Sequence, residues 1–138
     1  MTCRPLLPLL LTLTACVSGC SSDEPVTPSG PDLAVLKDEQ FESDDALLNG
    51  KLVDNEGCVA VRMDGTEDLV AVLWPADSVV VVDDDAWALD SSALETQTRR
   101  DEAVSLSGGY REASEAPAAS IPDGCTSTSY WVAVSPDL

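Results

Sequence analysis

The chain has 138 residues, which is enough for one small domain after a leader is removed. It contains 25 acidic and 7 basic residues, and its formal net charge of −18 repels nucleic acid and anionic lipid headgroups. Its sequence contains no histidine, which excludes a Ser-His-Asp triad and imidazole ligands for zinc or copper. The composition therefore argues against a DNA- or RNA-binding protein and against histidine-based catalysis.

The first twenty residues have the pattern of a secretory signal peptide. Arg4 is the only charged side chain before Asp23, and a short apolar run follows it at residues 6–13. A membrane-spanning helix needs about 20 apolar residues, so this run is too short to be one. Removal of the leader with Arg4 changes the net charge from −18 to −19.

The end of the leader carries two candidate lipidation sites. The tetrapeptides LTAC at residues 13–16 and VSGC at residues 17–20 both resemble the bacterial lipobox. This resemblance implies cleavage before the cysteine and a diacylglyceryl group on its sulfur. Leucine at the third position before the cysteine favours Cys16, whereas lipidation of Cys20 would leave no odd thiol in the mature chain. We take Cys16 as the site and Cys20 as the alternative, which predicts a lipid anchor on the extracytoplasmic face of the cell membrane.

The segment after the leader predicts a tether. Residues 21–32, SSDEPVTPSGPD, are rich in Ser, Pro and acid and cannot bury a core. We therefore divide the chain into a leader at 1–20, a disordered tether at 21–32 and one small β domain at 33–138. Residues 33–49 fit either a short helix or an irregular lead-in to the first strand.

From residue 47 onward the pattern predicts β-strands separated by turns. Alternating or β-branched runs place strands at 47–53, 58–63, 69–74, 79–82, 103–106 and 130–134. Turns are expected at 54–57, 64–66 and 83–85, and a long loop at 112–124. We also expect Gly50 to introduce a bulge and the Gly108-Gly109 pair to end its strand. The predicted fold is all-β, a small antiparallel barrel or sandwich of about six strands, a class that includes OB-like and SH3-like barrels.

Two cysteines remain in the domain, and we predict that they form a disulfide. Export leads to a compartment where disulfides persist, and Cys58 and Cys125 are the two thiols left whichever lipobox is used. Each follows a glycine, which places both at strand or loop edges. Two cysteines cannot form a four-thiolate zinc site, so we expect neither a metal nor another cofactor.

Four short motifs carry a resemblance over most of the domain. They are GKLVDNEGCVAV at 50–61, VSLSGGY at 104–110, IPDGC at 121–125 and YWV at 130–132. In this order they resemble small uncharacterised exported proteins and lipoproteins of actinobacteria. The resemblance implies a compact β domain at the cell envelope and no particular activity. Residues 77–100 depart most from the pattern, which leaves the strand count there open.

The acidic run at 83–85, with Asp90 nearby, is the first candidate site. Calcium needs several oxygen ligands around one point, and an EF-hand loop supplies them at alternate positions. Trp87 and Ala88 stand where that pattern requires acid and glycine. We therefore interpret the run as a solvated turn.

The aromatic residues are the second candidate site. Trp74 and Trp131 lie in apolar strands and are expected in the core. Trp87 and Tyr110 lie beside turns and are the candidate ligand surface.

The sequence assigns no catalytic residue. A carboxylate-based glycosidase needs two acids at a set distance, and no pair stands out among so many. We expect a monomeric, non-enzymatic interaction or structural module with an unknown envelope protein or glycan as partner. The alternative is a module that binds cell-wall glycan or a small ligand, and a carboxylate-based hydrolase is less favoured.

Overall fold

The computed structural model describes residues 30–38 and 45–136. The leader, Cys16, Cys20 and most of the predicted tether lie outside the described residues. Within the described ranges, no helix has the length and apolar character needed to cross a membrane.

The described chain is all-β, as predicted. Its ten strands are β1 (Ala34–Leu36), β2 (Ala46–Asn55), β3 (Cys58–Met63), β4 (Leu69–Trp74), β5 (Val79–Asp83), β6 (Ala86–Asp90), β7 (Thr98–Arg99), β8 (Ala103–Glu112), β9 (Ala119–Ser120) and β10 (Ser129–Val134). Short 3₁₀ turns lie at Ala113–Glu115 and Asp123–Cys125. Neither interpretation of residues 33–49 holds for Ala34–Leu36, which form strand β1 instead of a helix or an irregular lead-in. The long loop at 112–124 also contains β9.

Five strands close into a barrel in the order β2-β3-β4-β10-β8. Four of the neighbouring pairs are antiparallel, and the barrel is closed by the parallel pair β4–β10. Numbered along the chain, the barrel strands follow the order 1-2-3-5-4-1, which is the connectivity of an OB-type barrel.

Alternate residues of each barrel strand point inward and form the core. The fully buried members include Leu48, Leu52, Val59, Val61, Val72, Trp74 and Leu106. Trp131 also belongs to this cluster, so the prediction that Trp74 and Trp131 lie in the core is confirmed. Burial of each such side chain contributes about 1.5–3 kcal/mol.

Gly50 lies inside a regular strand, so the predicted bulge is wrong. It pairs with Met63 of β3 on one side and with Val104 of β8 on the other, and neither register is interrupted. A Cβ at this position would collide with the carbonyl oxygen of Arg62. Glycine is needed here because the paired backbone comes close, not because the strand breaks.

Gly108, like Gly50, lies inside a strand at a close approach of two backbones. The prediction that the glycine pair ends the strand is wrong, since β8 continues to Glu112. Gly108 has φ 155°, and a Cβ there would collide with the carbonyl oxygen of Val132 in β10. The glycine therefore lets two barrel strands approach each other.

A second sheet closes one end of the barrel. Strands β5-β6-β7 are inserted between the end of β4 and the start of β8. Trp87 and Leu89 of the central strand β6 join the barrel core. Gly30, the first described residue, lies against Val80 and Val82 of β5. We call this the tether end, because the described chain enters the domain here.

The outer face of β4 and β10 is covered by a second apolar layer. Its buried residues come from β1, β4, β10 and the two cysteines: Ala34, Leu36, Cys58, Leu73, Cys125, Tyr130 and Val132. Cys58 and Cys125 form the predicted disulfide, with their Cα atoms 5.4 Å apart. The bridge therefore holds the segment between β8 and β10 against the barrel.

Candidate functional site

The two ends of strand β3 mark opposite ends of the barrel. Cys58 begins β3 at the tether end, where its backbone pairs with that of Asp32 in an isolated parallel β-bridge. Met63 ends the strand, about 17 Å away at roughly 3.3 Å per residue. We call the end at Met63 the distal end.

Tyr110 covers the mouth of the barrel at the distal end. It lies opposite Trp131 in the β8–β10 pair, and the two rings meet edge to face with their centroids 5.2 Å apart. The Tyr110 hydroxyl donates to the Met63 sulfur, a weak acceptor, at 3.9 Å. Tyr110 remains 49% exposed, so its predicted position on the surface is confirmed.

Trp87 does not share that surface, and the prediction that it does is wrong. It is only 8% exposed because β6 is the middle strand of the small sheet and turns this side chain toward the barrel. Trp87 thus lies at the tether end and Tyr110 at the distal end. The two rings cannot form one ligand surface.

A cleft opens beside Tyr110 where two strands separate. The pairing of β4 with β10 joins only Val72 to Trp131 and Leu73 to Val132. The earlier residues of both strands lie apart and leave a cavity of about 140 Å³, which we call the distal cleft. It is lined by Met63, Asp68, Leu69, Val70, Ala71, Tyr110, Ser127 and Ser129.

Tyr110 also borders a broader hollow of about 640 Å³. Its lining consists of Tyr110, Arg111, Glu112, Glu115 and Ser129. Because Tyr110 and Ser129 line both spaces, the hollow and the distal cleft adjoin. The Arg111 guanidinium donates to the Tyr110 carbonyl at 2.7 Å.

The surroundings of Tyr110 keep its phenol protonated. Partial burial raises the pKa of Tyr110 above 10.0, and the negative charge of Asp68 raises this pKa further. The cleft therefore combines a neutral phenol, a thioether, two serine hydroxyls and one carboxylate.

The acidic run at 83–85 forms the turn between β5 and β6. Asp84 has φ 56°, as a tight hairpin requires, and the run borders a hollow of about 460 Å³ that Trp87 and Arg99 also line. Among residues 30–38 and 45–136, no cluster of three or more His, Cys, Asp or Glu side chains could hold a metal ion.

Within the part of the chain that the structure describes, the core contains a pair of bonded serines and three buried indole N–H groups without a hydrogen-bond partner, those of Trp74, Trp87 and Trp131. Ser78 and Ser91 are buried and hydrogen-bonded to each other, with 2.7 Å between their hydroxyl oxygens.

Every Asp and Glu in the described ranges is exposed. A glycosidase acid requires an apolar pocket, and no described carboxylate lies in one.

Sequence reasoning identified Tyr110 but not its neighbours in the cleft. Asp68 follows a turn and Leu69 begins a strand, and neither position is unusual in the sequence. Their role depends on where β4 and β10 separate, which no local pattern encodes. No protein-family model matches the chain, and neither a curated protein nor a solved structure matches it significantly.

Proposed function

We propose that this protein is a lipid-anchored lipoprotein of the bacterial cell envelope whose barrel is a non-enzymatic interaction module. Its contact surface is the distal end. One observation carries this proposal: the described chain enters the domain at one end of β3, and the cleft beside Tyr110 lies at the other. A barrel held by its N-terminal tether would therefore present Tyr110 away from the membrane.

The leader and the surface chemistry support the proposal. The two lipobox-like stretches end at Cys16 and Cys20, and a Ser/Pro-rich segment separates them from the barrel. The exposure of every described carboxylate disfavours a hydrolase that works with one acid in an apolar pocket.

Binding of a wall glycan is the second candidate function. Tyr110 is an exposed aromatic ring beside two serines and a carboxylate, groups that suit a sugar. The burial of Trp87 removes the second ring that a stacking surface would use. An interaction with a protein is therefore favoured.

The first test is anchoring in the native membrane. Intact-mass analysis should find an acylated N-terminus at Cys16 or Cys20, and alanine at the acylated cysteine should release the protein from the membrane. Alanine at the other cysteine is the matched control and should leave the protein in the membrane fraction. A mature chain that is secreted without a lipid would contradict the proposal.

The second test is the orientation of the contact surface. A photo-crosslinking amino acid at Glu112, at the distal end, should capture an envelope component in living cells. The same amino acid at Val81, an exposed residue of the small sheet, is the control and should capture less. Equal capture at both positions would contradict the assignment of the distal end.

A further inference from the structure

We infer that the distal cleft binds a single lysine or arginine side chain presented by a basic protein partner. This inference rests on the proposed interaction module and specifies the chemistry of its partner. The cleft is the space of about 140 Å³ beside Tyr110 where β4 and β10 separate.

The distal cleft, taken apart from the hollow that it adjoins, has a size that suits one side chain. Pockets for drug-sized ligands occupy about 300–1,000 Å³, well above the ≈ 140 Å³ found here. The cleft is thus too small for a drug-sized ligand but has room for a small group of atoms. That is the size of the end of one long side chain, which is how an anchor residue of a protein partner binds.

The lining of the cleft matches a cationic side chain with an apolar stem. The exposed ring of Tyr110 lines the cleft, and aromatic rings of this kind attract cations. The Asp68 carboxylate, which also lines the cleft, carries the opposite charge. Met63 and Leu69 provide apolar contact for the methylene groups of lysine or arginine. Ser127 and Ser129 supply hydroxyl oxygens that can accept the remaining N–H groups.

The charge around the cleft favours the same partner. Glu112 and Glu115 line the adjoining hollow, and the one basic residue there, Arg111, donates to the Tyr110 carbonyl. The chain as a whole has a net charge of −18, a field that attracts basic partners and raises their association rates. An acidic partner would be repelled by Asp68, Glu112 and Glu115.

The cleft can be tested directly, because Met63 reports on it. The chain contains two methionines, and Met63 is the one left after the leader is removed. The acylated protein in detergent micelles, labelled with ¹³C at the methionine methyl group, would be titrated with acetyl-Gly-Lys-Gly amide. The matched neutral probe is the same peptide with norleucine in place of lysine.

The lysine peptide should shift the Met63 methyl signal to saturation, and the norleucine peptide should not. Asp68→Asn and Tyr110→Leu should each raise the dissociation constant about two- to fivefold, as expected for an exposed ion pair or cation–π contact. Asp90→Asn is the control, because it removes the same charge from an exposed site on the small sheet. Unchanged melting temperatures would show that the variants fold.

Three results would overturn the inference: no shift with the lysine peptide, equal shifts with both peptides, or equal weakening by Asp90→Asn and Asp68→Asn. The last would mean general attraction to an acidic surface rather than a site. These results do not depend on anchoring or on crosslinking at Glu112. Failure of the inference about the cleft can therefore be distinguished from failure of the proposed interaction module.

Discussion

The two ends of the barrel are closed by different means. At the tether end, a complete three-stranded sheet covers the core and buries Trp87. At the distal end, one half-exposed residue, Tyr110, covers the mouth by resting its ring against Trp131. Among the described residues, the small sheet leaves no aromatic ring exposed at its end, although a hollow borders its hairpin. The cover made by Tyr110 alone leaves an exposed ring beside an open cleft.

This difference shows how a small domain separates stability from binding. The tether end is closed by packed side chains, and the disulfide-held segment on the barrel wall adds to it, so changes there should affect stability. The distal cleft exists because two strands separate before they pair, and its lining groups are partly exposed. Changes there should affect partner binding and the pKa of Tyr110 more than the free energy of unfolding.

The largest expected effect on stability comes from replacing Trp87, and replacing Tyr110 provides the comparison between the two ends. Trp87→Ala should lower the free energy of unfolding by about 3–5 kcal/mol, because it leaves a cavity in the core. Tyr110→Ala should lower it by about 1 kcal/mol, since the loss is mainly one edge-to-face contact. Urea unfolding followed by circular dichroism measures both. Equal losses would mean that the distal end is as tightly closed as the tether end.

Removal of the disulfide should be the next largest effect. The double variant Cys58→Ala/Cys125→Ala should lose about 3 kcal/mol, within the range for a bridge that closes a long loop. The segment released by this change also carries Ser127 and Ser129, so the Met63 methyl signal should move as well.

A single Cys58→Ala variant is the comparison for that experiment. It should lose about as much stability as the double variant, because either change opens the bridge. Non-reducing peptide mapping of the unaltered protein should recover the two linked peptides. Ready alkylation of both thiols under native conditions would show that the bridge does not form.

The two glycines that precede the cysteines allow a finer test within the disulfide region. Gly57 has φ 93° in the two-residue turn after β2, so Gly57→Ala should cost about 1–2 kcal/mol. Gly124 has no positive φ, and a Cβ there would meet only a carbonyl oxygen of Glu56 at 3.9 Å. Gly124→Ala should therefore change stability by less than about 0.5 kcal/mol. Thermal unfolding of both variants would show whether the turn conformation causes the difference.

The smallest expected effect is on the titration of Tyr110. Asp68→Asn should lower the pKa of Tyr110 toward 10.0 without restoring it fully, because partial burial remains the larger cause. NMR signals of labelled tyrosine ring carbons, followed with pH, would measure this pKa. A pKa that does not move would show that Asp68 and Tyr110 do not interact in the distal cleft.

The raised pKa also sets a direction for stability at high pH. The folded state favours the neutral phenol of Tyr110. The contribution of this preference to the free energy of unfolding is therefore fully present below the unfolded-state pKa near 10.0, and it is lost as pH rises through the folded-state pKa. Tyr110→Phe should weaken the decline in stability in that alkaline range. An unchanged pH dependence would assign the decline to other groups.

Local patterns predicted much of the fold. The bounds of β3 and β4 match the predicted ranges, because alternating and β-branched runs between turn residues leave little choice of register. Export chemistry and cysteine counting predicted the Cys58–Cys125 bridge, which the structure confirms. The anchoring cysteines lie outside the described residues, and their lipidation remains a prediction.

The sequence by itself thus determined the class of fold, the two best-defined strands and the disulfide, since these depend on nearby residues or on a pair with no other partner. Only the tertiary structure decided the burial of Trp87, the roles of Gly50 and Gly108 and the existence of the distal cleft. Each depends on which segments meet across the barrel: a sheet that folds over one end, backbones that come too close for a Cβ, and two strands that separate before they pair. Such contacts join residues that are far apart in the chain, so a local sequence pattern does not predict them.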